Sequence, residues 1–228
     1  MKSNVFCRVA PFALFMAFVG LEEGLRFLAG KGVVVLSPLQ LQAIYPFKAL
    51  SVAFLLFLFR ASYDEIGLRD LFRPWILVSS LAAGLGVYAF WIRLDLPWAT
   101  VGTLAGFDPG IYAGGAVKVI MIAFRLFGAV LVVPVMEELF WRSFLIRSII
   151  SPDFSKIPVG RFTWASFVLS SVLFGLEHNL VVAGILAGMV YNLLLYKTRS
   201  LSACIIAHGV TNLALGIYVL KTGRWYFW

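Results

Sequence analysis

The sequence predicts an all-α fold: a polytopic transmembrane helical bundle of about seven spans with a buried polar site. Three observations predict it. The chain is 61% hydrophobic and only 13% charged, with a mean hydropathy of +0.94. Apolar stretches long enough to cross hydrocarbon recur from end to end, and several of them contain acids or histidines. This composition excludes an ordinary water-soluble domain. We therefore expect a single integral membrane domain over residues 1–228, with the lipid bilayer as its first partner.

The spans read as about 9–29, 40–59, 74–92, 112–146, 162–178, 180–196 and 201–220. The first is one of a series, so it reads as a transmembrane helix and not as a cleaved leader. Span four exceeds the roughly 20 residues that a straight crossing needs, so it must tilt, bend or begin along the interface. Within it Pro134 lacks an N–H and frees the carbonyl of Val130, which predicts a kink one turn before two glutamates. Gly184 and Gly188 in span six have the small-xxx-small spacing that lets helices approach closely. Between spans three and four, "RLDLPWATVGTLAGFDPG" is a turn-rich loop that either caps a cavity or connects.

A net charge of +8 raises the question of nucleic acid, but the basic residues fall between apolar runs and form no basic face. No nucleic-acid partner is expected, and the charges read as topology signals. Lys2, Arg8, Arg60, Arg69, Arg73, Arg147, Lys156, Arg161, Lys197 and Arg199 fall on one side. Arg26, Lys31, Arg93, Lys118, Lys221 and Arg224 fall on the other, so the count is ten against six. That places the N-terminus in the cytoplasm and, with an odd number of spans, the ending "KTGRWYFW" outside, its aromatics at the interface. Cys7 and Cys204 match no metal or redox spacing and read as packing residues.

The stretch "VVPVMEELFWRSFLIRS" carries the first chemical signal. A charge at mid-bilayer costs roughly 2.5 to 3.5 kcal/mol, so Glu137, Glu138 and Arg142 must neutralise one another or do work. Glu138 and Arg142 stand four apart and can form an intrahelical ion pair, which leaves Glu137 without a local partner. Glu137 is then either a general base for water or an acid bonded to polar groups on another helix. Both histidines of the chain, His178 and His208, also lie in apolar spans. Asn212 is one turn after His208, and Phe174 one turn before His178. An acid, two imidazoles and an amide are what water-mediated amide hydrolysis requires: a base, and donors for the oxyanion. Glu137, His178 and His208 could equally hold zinc, the only cofactor the sequence suggests.

"EELFWR", "FGLEH" and "HGVTN" resemble the EExxxR, FxxxH and HxxxN motifs of the CPBP family of intramembrane CAAX prenyl endopeptidases of type II and bacteriocin-processing relatives. The resemblance spans about residues 112–216, a candidate catalytic core. "EELFWRSFLIR", "AGILAGMVYN" and "YVLKTGRWYFW" are further similar to the CAAX protease-related proteins that accompany bacterial exosortase and PEP-CTERM sorting systems. The resemblance implies Glu137 as the activator of water, His178 as its positioner, and His208 with Asn212 as the oxyanion hole. Glu138 and Arg142 match the remaining motif positions and Phe174 supports His178. It also implies a membrane-anchored or lipidated protein or peptide as substrate, and a bacterial inner (cytoplasmic) membrane as location. Whether such enzymes are metallo- or glutamate endopeptidases is left open by these residues.

Depth is the point that fits poorly. Glu137 and His208 lie roughly 15 Å from the cytoplasmic ends of their helices but His178 roughly 25 Å from Arg161, at 1.5 Å per residue. Span five must therefore start deeper, tilt or follow an inward-dipping loop. Other charges read as structural: Glu22 or Glu23 pairing with Arg26 at helical spacing, Arg125 and Lys118 snorkelling, and Glu177 in an outer supporting role. Two further functions stay compatible with the residues, a proton-coupled transporter and a non-catalytic scaffold of a sorting system. The transporter predicts an internal repeat, and none is evident.

Overall fold

A computed structural model describes residues 2–102 and 106–228, with side chains from residue 4 onward. The Lys2 side chain, one of the ten basic groups counted above, and Thr103–Ala105 of the loop between the third and fourth spans lie outside the described residues. All seven predicted spans are helical: α1 (Lys2–Gly30), α2 (Pro38–Leu58), α3 (Pro74–Trp91), α4 (Gly115–Ile150), α5 (Trp164–Leu176), α6 (Val181–Thr198) and α7 (Leu201–Thr222). No named strand occurs among the described residues. Six helices are long and apolar enough to cross a membrane, and α5, with 13 residues, is shorter. The protein is an integral membrane helical bundle.

The boundaries follow from capping chemistry. Ser37 and Gln40 form a reciprocal capping box at the start of α2, with Pro38 at the first position, where its missing N–H costs nothing. Thr163 and Ser200 accept the first free N–H groups of α5 and α7. Gly223 ends α7 in the left-handed conformation that glycine adopts without strain.

Packing is led by two helix pairs, α5 with α6, which run antiparallel, and α3 with α7, which run parallel. The glycine pair of α6 is used as its spacing predicts. A Cβ at Gly184 would sit 2.8 Å from the Cα of Gly175, and one at Gly188 would sit 3.1 Å from the Cα of Ser171. Because these backbones touch, Asn192 reaches across from α6 and donates to Ser170 Oγ (2.8 Å) and Ser171 Oγ (3.0 Å). On the other pair, Thr211 Oγ1 donates to the carbonyl of Gly84 at 2.8 Å. The buried core runs through Ile76, Leu139, Ile146, Phe174, Leu195 and Leu201. Cys7 and Cys204 are free and buried, as packing residues should be.

Helix α4 departs from prediction in an informative way. It is continuous over 36 residues, roughly 54 Å at 1.5 Å per residue. It accommodates Pro134 by widening into i→i+5 turns at Gly128–Val132, and it widens again at Leu139–Leu145. The strain predicted at one proline is thus spread over a whole turn before it. Asn212 of α7 donates to the carbonyl of Ala129 at 2.7 Å, inside the first wide turn.

Several charge assignments are corrected. Glu22 pairs with Lys48 of α2 at 2.8 Å and not with Arg26, so α1 is tied to its neighbour and not to itself. Arg125 does not snorkel: its guanidinium lies over the Tyr45 ring at 4.5 Å. Arg8 and Arg147, read from sequence as topology charges, converge on Glu65 at 2.6 and 3.4 Å, and the Ser143 hydroxyl donates to the same carboxylate. Burial raises the pKa of Glu65, but the hydrogen bonds from Arg8 and Ser143 outweigh it and hold the carboxyl below its ordinary value.

Candidate active site

Span five is the main correction at the site. Helix α5 begins at Trp164 and stops at Leu176, so His178 stands beyond the helix, in the turn that leads into α6. At 1.5 Å per residue α5 rises only about 20 Å. The 25 Å depth assigned to His178 assumed unbroken helix from Arg161, and that assumption fails. The tight α5–α6 contact at Gly175 and Gly184 then sets where the turn lies; a Cβ at Gly184 would also meet the His178 Cβ at 3.4 Å.

Glu137, Glu177, His178, His208, Asn212 and Phe174 all line one cavity of about 370 Å³. Glu137 is 4% exposed and its Oε2 has no hydrogen-bond partner among the described residues. Each histidine has one nitrogen committed. His178 Nδ1 donates to the carbonyl of Phe174 at 2.8 Å. A carbonyl only accepts, so this bond fixes the proton on Nδ1 and leaves Nε2 as an acceptor in the neutral ring. His208 Nδ1 lies 3.0 Å from Glu138 Oε1, leaving its Nε2 uncommitted. The Trp91 ring meets His178 edge-on, with centroids 5.2 Å apart.

Glu138 does more than its sequence spacing indicated. The expected ion pair with Arg142 forms, Nε to Oε2 at 3.2 Å, with both side chains essentially fully buried. The same carboxylate also holds His208, so it couples α4 to α7. Arg142 in turn stacks over Phe174 at 4.3 Å and over Tyr191 at 5.3 Å. Tyr191 lies nearly parallel to His208 at 5.2 Å and donates to Thr211 Oγ1 at 2.7 Å. Each member of this group is held by the next, which is how a buried charge pair is made tolerable.

Two contributors were missed or undervalued in the sequence. Tyr191 lies in "AGILAGMVYN" but was given no role there, and its place on α6 gives it its role beside His208. Glu177 was given an outer role for being about 100° from His178 on a helix, but His178 has left the helix. Trp141 Nε1 donates to Glu177 at 3.0 Å, and the carboxylate borders the same cavity as Glu137.

Described residues of the loop between α3 and α4, together with the C-terminal residues, border this cavity. The Val101 N–H donates to the Asn179 carbonyl at 2.8 Å, and the Asn179 amide donates back to the Val101 carbonyl at 2.8 Å. Phe107 and Trp228 line the cavity and meet edge-on at 6.1 Å, while Tyr226 donates to Asp95 at 2.6 Å. The loop therefore forms part of the cavity wall. The terminal aromatics Tyr226, Phe227 and Trp228 line the cavity as well.

Zinc was the one cofactor the residues suggested. Among the described residues no three His, Cys, Asp or Glu side chains are grouped so that they could hold a metal ion. Glu137, His178 and His208 thus do not form a ready zinc cage, and no step below is routed through a metal.

No curated protein and no solved structure matches the chain. A family does: the one described as Type II CAAX prenyl endopeptidase Rce1-like matches residues 119–214, a stretch that contains Glu137, Glu138, Arg142, Phe174, His178, His208 and Asn212. Taken with the membrane bundle, this supports an intramembrane endopeptidase in general, and residues 119–214 are a domain of the Rce1-like type II CAAX prenyl endopeptidase family.

Proposed function

We propose that the chain hydrolyses a peptide bond, near the membrane surface, in a membrane-anchored or lipidated protein or peptide. Glu137 is the base. One observation carries the reading: a buried carboxylate oxygen without a partner in the wall of a cavity that both histidines share. An acid in an apolar helix bundle is costly unless it is satisfied, and a water held in the cavity satisfies it.

In this reading Glu137 takes a proton from that water as its oxygen attacks the scissile carbonyl. His178, its Nδ1–H held by Phe174, accepts from the water through Nε2 and fixes its direction. The oxyanion that forms needs donors. Asn212 spends one amide hydrogen on Ala129 and keeps a second for it, and the His208 ring stands beside Asn212 in the same cavity with its Nδ1 held by Glu138. Glu137 then returns its proton to the leaving nitrogen as the C–N bond breaks. Arg142 and Tyr191 touch no reacting atom; they position His208 through Glu138 and by stacking.

The test uses the full chain in lipid nanodiscs with a panel of membrane-anchored fluorophore–quencher peptides, with and without a prenyl group. Cleavage lost in Glu137→Gln but not in Glu23→Gln, at equal melting temperature, is the expected result. Cleavage that persists in Glu137→Gln sinks the assignment. A zinc chelator is expected to leave turnover unchanged, and a loss restored by added zinc would replace the metal-free route with a metal-dependent one.

A further inference from the structure

The cavity continues well past Glu137 along α4. Arg125, Ala129, Val133 and Glu137 all line it, at a spacing of four. In a regular α-helix a residue twelve positions on has drifted about 120° around the axis. The wide turn at Gly128–Val132 takes up that drift by fitting extra residues into a turn, and it keeps one stripe facing the cavity. Arg125 therefore stands about 18 Å along the helix from Glu137, at 1.5 Å per residue.

Among the described residues Arg125 forms no ion pair, and its Nε is buried without a hydrogen-bond partner. Its guanidinium rests on Tyr45 at 4.5 Å and Phe107 at 5.8 Å. The acid that lines this end of the cavity, Glu22, is taken by Lys48. Arg26 lines it as well. The end away from Glu137 thus holds surplus positive charge beside aromatic walls.

We propose that this end of the cavity, centred on Arg125, is a subsite for an anionic oxygen group, a carboxylate or a phosphate. The planar guanidinium is suited to either group and can bind it with two parallel hydrogen bonds. The inference rests on the peptidase reading only in one respect: if Glu137 cleaves, an extended peptide at about 3.3 Å per residue places the anion about five residues from the scissile bond. Two sources share this chemistry, a carboxylate of the peptide and the phosphate of an anionic lipid.

The experiment measures binding, so that it does not depend on turnover. The full chain in neutral phosphatidylcholine nanodiscs is titrated with an N-palmitoylated, dye-labelled penta-alanine peptide ending in a free carboxylate, and with its C-terminal amide twin. The carboxylate form is expected to bind about tenfold tighter. That preference should vanish in Arg125→Gln, survive in part in Arg125→Lys, and persist in Glu137→Gln. If the twins bind alike but adding phosphatidylglycerol to the nanodisc raises the melting temperature in wild type and not in Arg125→Gln, the anion is the lipid phosphate. Equal binding of the twins with no lipid effect, or a carboxylate preference that Arg125→Gln retains, overturns the subsite. A preference for carboxylate in a chain that cleaves nothing leaves the subsite standing and removes the peptidase reading instead.

Discussion

Two clusters of buried charge are made from nearly the same parts and end in opposite states. At the loop end of the bundle, Arg8, Arg147 and Ser143 all spend themselves on Glu65, leaving a carboxylate with more donors than it needs. In the interior, Arg142 and His208 spend themselves on Glu138, and Glu137 next to it receives nothing on Oε2. The first cluster pins α1 and the α2–α3 loop to α4. The second pins α4 to α7 and leaves one acid over. An acid with more than enough cations is an anchor, and an acid left over in a cavity wall is where chemistry can happen.

The contrast is sharpest between adjacent residues, so it breaks first there. Glu137→Gln should lower turnover by a factor on the order of 10² to 10⁴, the usual contribution of a general base, with melting unchanged or raised. Glu138→Ala should do the reverse in character. It leaves Arg142 and His208 without their shared acid, and removal of one partner from a buried pair costs about 3 to 5 kcal/mol, read as a fall in melting temperature and in yield of folded protein. Gly184→Val tests whether the α5–α6 contact sets the position of His178. Overpacking costs about 1 to 3 kcal/mol, and turnover should fall by more than the lost folded fraction explains.

The smallest effect belongs to the anchor. Glu65→Gln removes a charged acceptor and should cost about 1 to 3 kcal/mol at neutral pH with little change in turnover per folded molecule. Its pH dependence has a definite sign. Because the folded Glu65 titrates below its ordinary value of 4.5, its contribution is complete above that value and is lost as the pH falls through the lower folded pKa. Wild-type stability should therefore decline below about pH 4.5 more steeply than that of Glu65→Gln, and parallel acid melts of the two would remove Glu65 as the anchor.

Most helices were legible because lipid leaves the backbone few alternatives, and hydropathy with capping residues marks the ends. Residues spaced along one helix, such as Glu138 with Arg142, were legible for the same reason. What escaped was whatever joins distant segments. Nothing in "EELFWR" says that Glu138 also holds His208, and nothing near Arg8 or Arg147 points to Glu65. His178 was misplaced because the polar turn Glu177–His178–Asn179 is only three residues long between two apolar helices, and spacing along one helix cannot see an end that is sealed by the histidine's own bond to Phe174. Arg125 was misjudged because snorkelling and stacking on a tyrosine leave the same trace in sequence.

The wide turn at Gly128–Val132 makes the count of residues in α4 a variable in its own right. Removing one residue there, for instance Leu131, would let the helix close to its ordinary pitch without costing it apolar length. Arg125 and Glu137 would then be eleven residues apart, which at 100° per residue leaves them only about 20° apart around the axis. Membrane insertion and the Glu138 pairing would survive, and Arg125 and Glu137 would still look into the same space, about 1.5 Å closer along the axis. In this fold the wide turn lets α4 lose one residue in a lipid-facing stretch without resetting which groups face the cavity, a tolerance that a regular helix, turning about 100° per residue, lacks.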